Sequence, residues 1–468
     1  MGADVASIFQ YFFEPKSIAV IGASKAAGKA GNEILVNLKA NGYAGKIYPI
    51  NPGGEEILGL KCFRTVQEIP ADVDLAVLIV PAEKTLEALR ECATKTIPAA
   101  VVSSGGYAEI GGEGARMQNE MLALARASGM RIIGPNTSGL TSTPASMTTT
   151  FFPLGKVRRG PISYVAQTGN FSTHTMRWIM TAEHFGVARV AGLGNKIDVE
   201  DSEVLAYLGE DPETRAILMY IEGLREPRRF FEVARKVTRR KPVFVLKGGR
   251  TQSGAARAFS HTASLAGNDL IFDAACKQTG IARVKRYCDL IHVSKAVAFQ
   301  PLPRGKRVSS LAPSGALGVV VADACESIGL QMARHAEATT DKLRRISASW
   351  VTISNPVDMS AITPRLGPVE SYRDVVETLL QDEGVDVIVS ILLASPRVPA
   401  EAYAFLPQLA AAYPHKPIYV SFTGDKPSFD SARDFLERRS IPVFTAFEDI
   451  FEMLAVLCRG RHAIEPTS

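Results

Sequence analysis

The 468-residue sequence is poor in cysteine: it has six, and none stands in a Cys-x-x-Cys pair. No Cys/His ligand cluster, structural zinc or disulfide framework is expected, and the metal-site expectation is none. Free thiols suit a reducing compartment, so a cytoplasmic location is expected. No stretch approaches the ~18 apolar residues of a membrane span. The opening MGADVASIFQYFFEPKS lacks the basic start and apolar core of a signal peptide. No membrane association is therefore expected. One-signed charge is also scarce. Lys and Arg number 53 against 48 Asp and Glu, for a net charge of +5. The densest basic stretch, Arg235–Lys241, is interrupted by Val and Thr. That argues for a solvated helix end and against a nucleic-acid surface.

What is present is globular: 46% hydrophobic and 22% charged residues, with length enough for about three domains. Short β-branched runs alternate with amphipathic stretches, the order of an α/β protein with parallel sheets. Residues 1–145 carry expected strands at Ser17–Gly22, Lys46–Ile50, Leu75–Val80, Ala100–Ser103 and Arg131–Ile133. Residues 146–300 carry Ile162–Ala166, Arg189–Gly192, Ala216–Ile221 and Val243–Lys247. Residues 301–468 carry Val308–Ala312, Val385–Leu393, Pro417–Phe422 and Val443–Phe444. Gln300–Lys306, with two prolines and a glycine, reads as a linker.

Val20-Ile-Gly-Ala-Ser-Lys-Ala-Ala-Gly-Lys-Ala-Gly31 follows the first strand and opens a helix. Glycines there permit a tight turn, and a helix N-terminus presents N–H groups to phosphate. The dinucleotide fingerprint is incomplete, because Ser24 replaces its second glycine and the second strand ends in Asn51-Pro52 rather than an acid. A nicotinamide cofactor is disfavoured. Ser24, Lys25 and Lys29 suit a more heavily phosphorylated nucleotide such as coenzyme A. Val80-Pro81, Ser103-Ser104-Gly105 and Asn136 also fall at strand C-termini, where open parallel sheets bind ligands.

These segments belong to a longer series. VIGAS at 20–24, IYPINP at 47–52, SSGGYAEIGGEG at 103–114, GPN at 134–136 and AQTGN at 166–170 come first. GNKIDVED at 194–201, EDPETRAILMYIEG at 210–223, SHTASLAGND at 260–269 and NPVD at 355–358 follow. In this order they resemble the α subunit of the NDP-forming acyl-CoA synthetases, related to succinyl-CoA synthetase. The resemblance spans essentially the whole chain. It implies a Rossmann-like CoA-binding domain over residues 1–145, a ligase domain over 146–300 and a third, flavodoxin-like ligase domain over 301–468. It implies that Gly22, Ala23, Ser24, Lys25, Lys29, Asn51, Pro52, Val80, Pro81, Ser103, Ser104, Gly105 and Asn136 contact CoA. It also implies that the family's phosphorylated histidine falls on His261.

His261 lies in a Gly-, Ala- and Ser-rich segment after the strand at 243–247, read as a mobile loop. A neutral imidazole is a competent nucleophile near pH 7, and a carboxylate can fix its tautomer. Glu222, at a strand end, is the candidate orienter. Thr168-Gly169-Asn170 ends a strand and starts a helix, which suits a phosphoryl group. Two departures from the family pattern are Thr168 with Asn170, and Thr137-Ser138 after Gly-Pro-Asn. The second begins a hydroxyl-rich run to Thr150, including Thr148–Thr150. If that run lines the acyl pocket, the acid would carry a polar group.

No Walker A motif occurs, and the family's ATP-grasp module is not among these residues. The resemblance therefore implies that ADP or ATP, with Mg, binds a separate ATP-grasp β subunit in an α2β2 hetero-oligomer. The implied reaction is acyl-CoA + phosphate + ADP giving acid + CoA + ATP. Two alternatives are a non-catalytic CoA-binding or acyl-CoA-sensing protein of the same fold, and a nicotinamide oxidoreductase. The choice of acid, the direction and ADP against GDP stay open at this level.

Overall fold

The computed structural model describes residues 2–262 and 267–461, apart from the side chains of residues 2–7 and 259–262. The described chain forms two compact units, Met1–Arg283 and Val284–Ser468. None of its helices is long and apolar enough to cross a membrane.

The first unit contains a five-stranded sheet in the order β2-β1-β3-β4-β5. Its strands are β1 (Ser17–Ile21), β2 (Lys46–Ile50), β3 (Leu75–Leu78), β4 (Ala99–Val102) and β5 (Arg131–Ile133). All neighbours are parallel. β1, β3 and β4 are buried along their whole length, as expected for strands covered on both faces. The helix Ala30–Asn41 follows β1 and stops at Gly42, whose left-handed backbone (φ 76°) returns its N–H to the last carbonyls.

A seven-stranded sheet has the order β12-β11-β10-β8-β9-β6-β7. It comprises β6 (Leu140–Ser142), β7 (Met147–Thr148), β8 (Arg159–Ala166), β9 (Val187–Gly192), β10 (Ala216–Ile221), β11 (Val243–Lys247) and β12 (Ala282–Val284). β8 through β11 pair in parallel, as the sequence pattern predicts. The wholly parallel expectation fails at β6 and β7, which form an antiparallel hairpin on β9. A two-residue strand is too short to show a period, so only its partner defines it.

The N-terminal helix Gly2–Phe13 buries Phe9, Phe12 and Phe13 completely. Phe9 and Phe13 stack on Tyr207 at 5.1 and 5.2 Å. The Arg189 guanidinium, 1% exposed, meets Asp211 at 3.3 Å and Glu14 at 2.6 Å. A buried cation needs such partners on every side.

The second unit carries β13 (Arg307–Ala312), β14 (Gln331–Met332), β15 (Val357–Asp358), β16 (Val387–Ala394), β17 (Ile418–Gly424) and β18 (Val443–Phe444). Its sheet order is β14-β13-β16-β17-β18, with β15 also on β13, all parallel. Lys295, on the helix Tyr287–Phe299, donates to Glu437 at 2.8 Å within this unit. Asp358 caps a turn, accepting from the Ser360 N–H at 2.9 Å and its hydroxyl at 2.7 Å.

Candidate functional site

Gly22 leaves β1 with φ +94°, and a Cβ there would sit 2.4 Å from the Ile79 carbonyl oxygen. Glycine is required by both strain and space. Gly31 lets the following helix approach, because its Cβ would lie 2.0 Å from the Gly22 oxygen. The Gly22 and Ala23 N–H groups donate to Ile50 at 3.1 and 3.2 Å. Asn51 donates to Ala23 O at 2.8 Å, so the ends of β1 and β2 form one rim with Val80 beside Gly22. Ser24 accepts the Ala26 N–H at 3.1 Å. Lys25 pairs with Glu55 at 2.5 Å on the surface, and Lys29 begins the helix exposed beside it. Pro52 is exposed on the turn that Asn51 closes by accepting from Gly53 at 2.9 Å. Glycine at 22 and 31 thus lets the end of β1, the end of β3 and the following helix approach closely at this rim.

The remaining expected CoA contacts lie elsewhere. Pro81 and Gly105 line a hollow of about 600 Å³. Ser104 hydrogen-bonds Thr85 and Tyr107 at 3.3 and 3.2 Å. Glu109 accepts from Asn195 at 2.7 Å and from the Gly106 N–H at 2.7 Å. Burial alone would raise its pKa, but these donors hold it below the ordinary carboxylate range.

Ser103 and Asn136 instead join Thr168, Gly169 and Asn170 around one cleft of about 430 Å³. The structure thus brings part of the expected CoA set and the expected phosphate set together. Thr168 Oγ1 accepts the Asn170 N–H at 3.3 Å. A five-residue π-helical turn, Phe171–Thr175, follows, then the α-helix Met176–Ala182. Such turns frequently mark functional sites.

Glu222 is buried at the end of β10 and does not line this cleft. Its link is Gln167, which stands in the AQTGN motif but carries no expected role. Gln167 Oε1 accepts the N–H groups of Glu222 and of Gly223, the latter at 3.0 Å. Gln167 lines the cleft, and its amide nitrogen, like the Ser103 hydroxyl, is buried with no hydrogen-bond partner among the described residues. Tyr220 donates to Glu222 Oε1 at 3.2 Å. Lys247 donates to the Glu222 carbonyl at 2.7 Å, and burial lowers its pKa. The signal for Gln167 was its place directly before Thr168, at a strand end.

His261 requires a correction of form. Residues Gln252–Thr262 are helical rather than an open loop, because Ala255, Ala256 and Ala258 are strong helix formers. The His261 backbone lies in the last turn of that helix, which packs on the short helix Ala108–Ile110. The His261 side chain lies outside the described residues.

The hydroxyl-rich run divides. Thr137 and Ser138 line the cleft, but Thr137 donates to Gly192 O at 2.6 Å and Ser138 bonds Ser172. Thr141 and Thr148 face each other across the hairpin at 2.7 Å, buried and away from the cleft. Two cleft-wall residues, Phe151 and Phe152, carried no sequence signal. They are held by Asn37, which donates to Thr150 O at 2.9 Å and Phe152 O at 2.8 Å. In the second unit, helical i, i+4 spacing brings Cys288, Asp289 and His292 ligand atoms within 4.8 Å, a proximity not expected from the sequence. Arg286 already neutralises Asp289 at 2.7 Å.

Residues 16–143 match the CoA binding domain family, and residues 159–297 match the succinyl-CoA ligase like flavodoxin domain. The chain is 39% identical to acetate–CoA ligase [ADP-forming] II of Archaeoglobus fulgidus over 92% of its own length, and spans 64% of that protein. It is 36% identical to acetate–CoA ligase [ADP-forming] II subunit alpha of Pyrococcus furiosus, covering 95% of this chain and 96% of that one. The dinucleotide forming acetyl-coenzyme A synthetase 1 of Ca. Korarchaeum cryptofilum, solved with phosphate and ADP, superposes with a TM-score of 0.90 at 31% identity. That match covers 98% of this chain and 97% of the other. The chain therefore belongs to the family of ADP-forming acetate–CoA ligases, aligning with its α subunits along nearly their whole length.

Proposed function

We propose that this chain is the catalytic α subunit of an ADP-forming acyl-CoA synthetase, an acid–thiol ligase. The observation that carries this reading is the single cleft shared by Ser103, Asn136 and Thr168-Gly169-Asn170, joined to Glu222 through Gln167. The CoA nucleotide lies along the rim of Gly22, Ala23, Ser24, Lys25, Lys29, Asn51, Pro52 and Val80, with Pro81 in the hollow beyond it. Ser104 and Gly105 border its path, and its thioester end reaches the cleft.

Phosphate, held near Thr168-Gly169-Asn170, attacks the thioester carbonyl. The C–S bond breaks, CoA leaves and takes a proton, and an acyl phosphate forms. A ring nitrogen of His261 then attacks phosphorus, and the P–O bond to the acyl group breaks to release the carboxylate. Glu222 holds the proton on the other ring nitrogen and stabilises the cationic ring. The phosphohistidine passes its phosphoryl group to ADP, which with Mg binds an ATP-grasp β subunit in an α2β2 assembly of the cytoplasm. The reverse sequence activates an acid. The Gln167 and Ser103 donors suit oxygen-rich groups, because a buried unpaired donor is costly until a ligand meets it. The non-catalytic CoA-sensing alternative is not favoured by relatives that are named as ligases.

The test is incorporation of radiolabelled inorganic phosphate from acyl-CoA, with the β subunit present. Acid-labile, base-stable label is expected, absent in His261→Ala and strongly reduced in Glu222→Gln. Absence of label from every acyl-CoA tried would refute the reading.

A further inference from the structure

We propose that His174 selects carboxylic acids that carry a hydroxyl group. This deepens the ligase reading above and rests on it. Several polar groups of the cleft are already engaged. Thr137 donates to Gly192 O at 2.6 Å, and Ser138 is bound to Ser172. Thr173 Oγ1 donates to Gly169 O at 2.8 Å. None of these hydroxyls has a second proton to offer. These hydroxyls therefore have no proton left to give to the acid, and the Thr137 oxygen also accepts the Gly139 N–H at 3.1 Å.

His174 lines the same cleft and is exposed. Its Nδ1 lies 3.2 Å from Thr173 Oγ1. Because the Thr173 proton goes to Gly169, the neutral ring supplies the proton of this contact. Nδ1 then carries the hydrogen, and Nε2 carries the lone pair. Among the described residues Nε2 has no hydrogen-bond partner. The ring is braced by Phe152, with centroids 4.6 Å apart and planes at 49°. Phe152 is in turn held by Asn37. The π-helical turn at Phe171–Thr175 matters here. One extra residue in a turn rotates everything after it by about 100°.

The cleft thus offers a fixed acceptor beside an aromatic wall. A bare carboxylate has only acceptors and nothing to give it. A hydroxyl on the body of the acid donates to Nε2 directly. Size agrees: acetate takes about three water volumes, roughly 90 Å³. Phosphate needs a similar share, so more than half of a cleft of about 430 Å³ is left for the CoA thiol end and a longer acid.

The experiment uses the chain in complex with its nucleotide-binding subunit and matched acid pairs, butyrate with 4-hydroxybutyrate and cinnamate with 4-hydroxycinnamate. Formation of the CoA ester is followed, and kcat/KM is compared within each pair. The hydroxylated acid of at least one pair is expected to be favoured about tenfold, the value of one net hydrogen bond. In His174→Ala that ratio falls to within about twofold of one, and His174→Gln, which keeps an acceptor, restores part of it. Turnover of these acids without hydroxyl preference, or a preference that survives His174→Ala, would overturn this proposal alone. No CoA ester from any acid, acetate included, would overturn it together with the ligase reading.

Discussion

Asn37 touches no expected ligand, yet a single substitution there acts directly on the cleft wall. It is fully buried on the helix Ala30–Asn41 and donates two hydrogen bonds to the segment that bears Phe151 and Phe152. Asn37→Leu keeps the branched shape, removes both donors and also removes the Oδ1 that accepts the Leu154 N–H at 3.4 Å. The carbonyl of buried Thr150 would lose its partner outright, at about 1–3 kcal/mol, while the half-buried Phe152 carbonyl can recover water at about 1 kcal/mol. The expected loss is about 3 kcal/mol. At roughly 2–4 °C per kcal/mol, the melting transition of the first unit falls by about 6–12 °C. Calorimetry and urea titration read this directly. The control is Asn41→Leu, which removes contacts to Asn37 O and Gly155 O, each at 2.9 Å, and to the Val157 N–H at 2.8 Å from a half-buried position. It is expected to cost about 1 kcal/mol, because water can replace its bonds. A loss below ~0.5 kcal/mol for Asn37→Leu, or one no larger than the control, would refute the argument that this side chain pins the cleft wall. Loosening Phe152 should also raise KM for the acid, since small misplacements of positioning groups cost rate.

Gly22→Ala is expected to destabilise the first unit by about 2 kcal/mol or more and to weaken CoA binding measured by calorimetric titration. Its φ of +94° and a Cβ 2.4 Å from the Ile79 oxygen allow no relaxed form. In the second unit, burial tends to raise the pKa of Asp386. The Arg307 guanidinium at 2.7 and 2.9 Å and its N–H at 3.0 Å hold it below the ordinary aspartate value. A lowered carboxylate contributes stability that is complete above the unfolded value of about 3.9 and is lost as pH falls through the folded one. The stability gap between the native chain and Asp386→Asn should therefore be constant from pH 5 to 7 and shrink below about pH 4. A gap unchanged at pH 3 would contradict this.

The alternation of strands and helices was legible because it is written locally. β1, β3, β4 and β10 are runs of apolar, often β-branched residues, and all four pair in parallel, as expected. The glycine turn after β1 and the Thr168-Gly169-Asn170 strand end were legible for the same reason. The hairpin β6–β7 was not, since two or three residues carry no period. The helix over Gln252–Thr262 is hard to see in the sequence because small residues suit a loop and a helix alike, and only the strong preference of alanine separates them.

By itself, then, the sequence determined the α/β class, the family and the residue types gathered at the strand ends, since each depends on neighbours a few positions apart. Tertiary structure alone decided which of those groups remain free to act. Gln167 reaches Glu222 across 55 positions, and Asn37 holds Thr150 across 113. It also decided that Thr137 and Ser138 are engaged while His174 keeps a lone pair. A hydrogen-bonding group has few protons and lone pairs, and what it can do for a ligand is what remains after the fold has placed its distant partners.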